Sequence, residues 1–139
     1  MRVRMVMSRQ VINAGATETL LEAARRMRTD GVSALPVIDG EEVVGIISER
    51  DLVEAFINGA DAGSTRVSAY MTSNPQYANP DDLSSGLALR MLDLGVRHLP
   101  VLEGGRLVGM VSARDLLLPG ASGPGQPPGQ NPSGLVRGM

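Results

Sequence analysis

The sequence contains no cysteine and no tryptophan, and aromatic residues make up 2% of its 139 positions. Without cysteine there is no disulfide framework, thiol nucleophile or thiolate zinc site. A single histidine, His98, leaves no histidine pair for a metal. So few aromatics argue against the base-stacking surfaces that single-stranded nucleic acids require. Lysine is missing too: all 13 basic residues are arginine, which removes Schiff-base and P-loop lysines and leaves only guanidinium groups for anions. Codon bias accounts for that preference without any function. Charge of one sign is also lacking, since 13 basic and 15 acidic residues give a formal net charge of -2. No nucleic-acid or membrane partner is expected from such a field. No stretch approaches the roughly 18 apolar residues of a membrane span, and arginines interrupt the apolar run from Met1 to Met7 that a signal peptide would need. The expectation is a soluble, cytoplasmic protein.

What is present is a duplication. Gly31-Val32-Ser33-Ala34-Leu35-Pro36-Val37-Ile38 returns as Gly95-Val96-Arg97-His98-Leu99-Pro100-Val101-Leu102. Val44-Gly45-Ile46-Ile47-Ser48-Glu49-Arg50-Asp51-Leu52 returns as Val108-Gly109-Met110-Val111-Ser112-Ala113-Arg114-Asp115-Leu116. The offset is 64 residues, the separation of Pro36 from Pro100 and of Asp51 from Asp115, and it also pairs Met7 with Met71, Ala24 with Ala88 and Met27 with Met91. A register held without a gap over both segments marks two copies of one unit.

Each copy reads as strand–helix–strand–strand–helix. A helix beginning at Thr17 or Glu18 carries Leu20, Ala23, Ala24 and Met27 on one face, and Asp30-Gly31 stops it. In the second copy Asn79 caps, Pro80 opens the helix, and Leu83, Leu87, Met91 and Leu94 form the stripe. Leu35–Ile38 and Val43–Ile47 read as a hairpin turning at Asp39-Gly40, and Glu103-Gly104-Gly105 repeats the turn. Ser48 caps a second helix from Glu49 to about Ile57, and Ser112 caps Ala113 to Leu118. The methionines Met27, Met91 and Met110 fall on buried stripes, where core filling explains them better than metal binding. A unit of roughly 50 residues is too small for a convincing core alone, so the fold expected is α/β (α+β), two repeats packed as one pseudo-two-fold module. The boundaries read as 3–58 for the first repeat, 59–66 for a polar, glycine-rich linker and 67–118 for the second repeat. A flexible Gly/Pro-rich tail of 119–139 follows.

One repeated pattern carries chemistry. Gly-x-x-Ser-x-Arg-Asp places a hydroxyl, a guanidinium and a carboxylate where a strand ends and a helix begins. Free N–H groups there favour an anion, arginine clamps phosphate, and a carboxylate accepts from a vicinal diol such as a ribose. The same residues also read as a capping serine followed by a solvated Arg–Asp pair.

Both copies resemble the cystathionine-β-synthase (CBS) domain. The resemblance rests on Pro36-Val37-Ile38-Asp39 through Gly45-Ile46-Ile47-Ser48-Glu49-Arg50-Asp51, on the same run from Pro100 to Asp115, and on Met7-Ser8 and Met71-Thr72 at the openings. It implies a pseudo-symmetric module with two clefts that hold adenine nucleotides (AMP, ADP or ATP) or S-adenosylmethionine, the motif aspartate taking the ribose and the serine a phosphate. Carried over by position, one cleft would join Ser112, Arg114 and Asp115 to Ser8, Val11, Ile12, Ser33 and Ala34. The other would join Ser48, Arg50 and Asp51 to Thr72, Gln76, Tyr77, Arg97 and His98. Pro75 and Tyr77 depart from the apolar pair of the first copy at the expected adenine position. Arg97 and a His98 protonated near the ordinary value of about 6.5 would favour the more highly phosphorylated ligand in the second cleft; alternatively both lie on the surface.

The function implied is a regulatory ligand-binding module, an adenine-nucleotide sensor that forms a homodimer and signals to a separate, unidentified partner protein. The alternatives are an interaction dimer with empty clefts and a binder of S-adenosylmethionine or NAD. No nucleophile–base pair is present, so catalysis is not expected.

Overall fold

The computed structural model describes residues 1–9 and 12–117. The expected tail 119–139, Leu118 and the candidate site residue Val11 lie outside the described residues. The chain is a mixed α+β protein that folds as two compact units, one of residues 12–75 and one that combines the start of the chain with the residues from Gln76 onward.

In the 12–75 unit the order is β1 (Ala14–Gly15), α1 (Leu20–Asp30), β2 (Ala34–Asp39), β3 (Glu42–Ser48), α2 (Glu49–Ile57) and β4 (Thr72–Ser73). The sheet runs β1-β2-β3-β4, with β1 parallel to β2 and the other neighbours antiparallel. Helix α1 starts at Leu20, later than the apolar spacing suggests, because Thr19 and Glu22 form a capping box there. Glu18, expected inside the helix, instead accepts from the Gly15 N–H at 2.6 Å and from both Arg26 Nη atoms at 2.7 and 2.8 Å. This clamp ties β1 to α1, and Arg26 holds its own carboxylate partner down: the Glu18 pKa falls to about 2. Gly31 ends the helix at φ +68°, as its glycine promised. The segment expected as a linker is bonded into the unit, since Leu20 and Leu21 N–H groups donate to the Thr65 and Ala62 carbonyls.

The other unit contains α3 (Ser84–Leu94), β5 (His98–Glu103), β6 (Arg106–Ser112) and α4 (Ala113–Leu117). Isolated bridges complete its sheet: Ala78 pairs parallel with Val101 and Ser8 antiparallel with Met110. Helix α3 starts at Ser84, not at Pro80, because residues 79–82 form a turn. The Asp82 N–H donates to the Asn79 carbonyl there, and the Val3 and Arg4 N–H groups take the Asp82 and Pro80 carbonyls. Of the expected stripe only Leu87 and Met91 are buried, while Leu83 and Leu94 stay exposed, the former as the residue before the helix and the latter as its last. Met27 is buried as expected, and Met110 is half-buried.

The units as folded differ from the repeats as written. Ser8 opens the first copy yet pairs with Met110 of the second, and Thr72 opens the second copy yet pairs with Ile46 of the first. The cores follow suit, with Val3 packed among Leu87, Leu99 and Val111, and Val67 among Leu20, Leu35 and Ile47. The strand glycines make this pairing possible. A Cβ on Gly45 would lie 2.5 Å from Met71 Sδ and 2.8 Å from the Thr72 carbonyl oxygen. A Cβ on Gly109 would lie 2.7 Å from the Ser8 carbonyl oxygen and 2.8 Å from Met7 Sδ.

Candidate functional site

In each unit a hairpin delivers its second strand directly into a helix. Ser48 stands at the end of β3 with extended backbone, φ -123° and ψ 168°, and its hydroxyl accepts from the Asp51 N–H. Asp51 answers by accepting the Ser48 N–H at 2.8 Å and the Ser48 hydroxyl at 3.0 Å, both on Oδ2. The other unit repeats the box: Ser112 N–H reaches Asp115 Oδ2 at 2.8 Å, and Asp115 N–H reaches Ser112 Oγ at 3.1 Å. The motif serine and aspartate are therefore a capping box built with aspartate in place of glutamate. In both units the aspartate turns back onto the serine through Oδ2.

The box uses one carboxylate oxygen. In the 12–75 unit Asp51 is half-buried. In the other unit Asp115 is 4% exposed, and its Oδ1 is buried without a hydrogen-bond partner. Leaving an acceptor so placed costs about 1–3 kcal/mol, which a ligand hydroxyl donating to it would offset. Arg50 and Arg114 are both exposed, one residue before each aspartate.

Hairpin register sets what lies beside each box. Ala34 pairs with Ser48, and the Glu49 N–H donates to the Ser33 carbonyl at 3.0 Å. His98 pairs with Ser112, and the Ala113 N–H donates to the Arg97 carbonyl at 2.8 Å. The 12–75 unit thus gathers Ser33, Ala34, Ser48, Arg50 and Asp51, with Thr72 on the adjoining strand and Ile12 half-buried against the core. The other unit gathers Arg97, His98, Ser112, Arg114 and Asp115, with Ser8 bridged to Met110 two residues before Ser112. Gln76 Oε1 accepts from Arg90 Nη2 at 3.1 Å, and Tyr77 is half exposed beside the Ala78 bridge.

His98 departs from expectation. Burial pushes its pKa below the ordinary value, the Arg97 charge adds to the fall, and Asp115 acts in the other direction without reversing it. The imidazole is neutral near neutral pH, so Arg97 is the fixed positive charge at this strand end. The pairing of His98 with Ser112 escaped the motif reading, because counting back from the Glu103–Arg106 turn places His98 opposite Val111 and only the register shift between Val101 and Leu102 moves it to Ser112. Among the described residues no group of three or more histidine or acidic side chains is arranged to hold a metal, and no helix is long and apolar enough to cross a membrane.

The comparisons agree with this architecture. The chain is 30% identical over 115 residues to the CBS domain-containing protein YhcV of Bacillus subtilis, covering 82% of this chain and 81% of that one. The CBS-domain containing protein ATU1752 from Agrobacterium tumefaciens superposes with TM-score 0.79 at 32% identity, covering 84% and 97% of the two chains. The CBS domain pair of MJ0100, solved in complex with 5'-methylthioadenosine and S-adenosyl-L-methionine, superposes with TM-score 0.78 at 25% identity over 84% and 93%. Other relatives are longer: the chain spans 59% of the Methanopyrus kandleri protein MK0525 and 22% of a Korarchaeum cryptofilum inosine-5'-monophosphate dehydrogenase. The CBS domain family matches residues 3–58 and again 67–118, and the chain belongs to that family as a tandem pair of CBS domains.

Proposed function

We propose that the protein is a regulatory module that binds an adenosyl ligand at its strand-to-helix junctions and reports occupancy to a separate partner protein. The observation that carries the reading is the buried, unpartnered Oδ1 of Asp115 beside a closed capping box. The box holds the carboxylate rigidly through Oδ2 and leaves the other oxygen to accept a ribose hydroxyl. The exposed side chains of the adjacent Arg50 and Arg114 suit a phosphate or the carboxylate of S-adenosylmethionine.

The ligands proposed are AMP, ADP or ATP, with Arg97 favouring the more phosphorylated species. A second reading, S-adenosylmethionine, is favoured by the ligands of the MJ0100 pair. The module is proposed to act without catalysis and as a homodimer; the exposed Val53, Phe56 and Ile57 of α2 support self-association. A ligand of this kind moves a regulatory equilibrium only by its differential affinity for the two states.

Thermal unfolding with AMP, ADP, ATP, S-adenosylmethionine and NAD tests the proposal. A ligand at about a hundred times its Kd adds roughly 2.7 kcal/mol, which raises the midpoint of a chain this size by several degrees. No shift with any of the five refutes adenosyl binding and leaves the empty interaction dimer.

A further inference from the structure

The two junctions share Ser-x-Arg-Asp and one hairpin register, yet their carboxylates are not equally reachable. Asp51 is half-buried, whereas Asp115 is 4% exposed with Oδ1 shut away from solvent. The capping boxes do not explain this, because both close at 2.8 Å. Across the hairpin there is a difference: Ala34 faces Ser48, and His98 faces Ser112. Directly opposed residues of antiparallel strands project to the same face with Cβ atoms about 4.5–5.5 Å apart. An imidazole therefore stands where the 12–75 unit has a methyl group. Ser112 in turn closes the box with Asp115, so the ring stands on the face that carries this serine.

We infer that His98 is a gate over Asp115, so that the chain takes an adenosyl ligand first at the open Asp51 junction and at the Asp115 junction only when the imidazole swings aside. This rests on the adenosyl reading above and adds to it an order of loading and the residue that sets it. The unpartnered oxygen gives the gate its purpose, since the ribose hydroxyl that displaces His98 satisfies an acceptor that nothing else reaches. A closed gate weakens apparent affinity by the fraction of time it is open.

The test is equilibrium dialysis of the full chain with radiolabelled AMP and, separately, S-adenosylmethionine, with folding of each variant checked by circular dichroism. The parent is expected to bind one tight equivalent that Asp51→Asn removes. His98→Ala is expected to gain a second, which the added Asp115→Asn substitution removes. Should His98→Ala not fold, Ala34→His tests the gate from the other side: for a gate open about a tenth of the time, affinity at Asp51 falls about tenfold. Two equal equivalents in the parent, one that survives Asp51→Asn, or His98→Ala remaining at one overturns the gate alone. Uptake of neither probe by the parent and by His98→Ala overturns the adenosyl reading and the gate with it.

Discussion

Gly109→Ala is the substitution that probes most sharply how the start of the chain is built into the unit it joins. The added methyl would lie 2.7 Å from the Ser8 carbonyl oxygen and 2.8 Å from Met7 Sδ. The methionine can retreat, but the carbonyl cannot, because it accepts the Met110 N–H at 3.0 Å while the Ser8 N–H donates to the Met110 carbonyl at 2.8 Å. Either the bridge opens or the strand bends. Overpacking of this kind costs about 1–3 kcal/mol, and losing a net backbone hydrogen bond adds about 1 kcal/mol. A loss of roughly 2–4 kcal/mol lowers the unfolding midpoint by roughly 8–15 °C at this chain length. The assay is thermal and urea unfolding of the parent, Gly109→Ala and the control Gly86→Ala. The control site lies in α3 with nothing within 4 Å of an added Cβ. Replacing a helical glycine by alanine there stabilises by about 0.5–1 kcal/mol. A Gly109→Ala midpoint within error of the parent refutes the close approach of Ser8 to β6, and with it the exchange of leading segments.

Other outcomes follow from the same geometry. Thr19→Ala removes the capping box of α1 and lowers stability by about 1 kcal/mol, measured by urea unfolding. Glu18→Gln breaks the clamp on Arg26 and Gly15 and destabilises by on the order of 1 kcal/mol near neutral pH. Because the folded pKa of Glu18 is lowered from 4.5 to about 2, its stabilisation is fully present above 4.5 and is lost as pH falls toward 2. The gap between parent and Glu18→Gln in urea midpoint should therefore close over that range. For His98 the sign is the reverse of an ion-paired histidine. Its folded pKa is lowered from 6.5, so the unfolded chain binds the proton first and stability falls as pH drops below that value. His98→Gln should flatten that part of the pH profile.

Much of the fold was legible because the two copies keep one register without a gap. The hairpins, the Ser48 cap, the span of α2 and the stop at Gly31 are local features, and each copy corroborates the other. The destination of the leading segments was not legible. Met7-Ser8 and Met71-Thr72 are near-equivalent, Gly45 and Gly109 offer the same gap, and nothing local says which segment fills which. Asn79-Pro80 resembles a helix start for sound reasons, but the Val3 and Arg4 N–H groups claim the carbonyls of that stretch from the far end of the chain. The recurrence of Ser-x-Arg-Asp was visible in the sequence, while the use of the aspartate as a cap was not. Nor was the neutral His98, since its burial depends on the strand opposite it.

The central proposal is that the carboxylate oxygens left over by the two capping boxes accept a ribose diol. The most direct measurement is binding of radiolabelled AMP and S-adenosylmethionine to the Asp51→Asn/Asp115→Asn double variant. Asparagine keeps one carbonyl oxygen for the serine N–H and so preserves the cap, but it puts a donor where the ligand hydroxyl must be accepted. The account predicts a folded protein that binds neither compound while the parent binds at least one. A double variant that binds as tightly as the parent contradicts it.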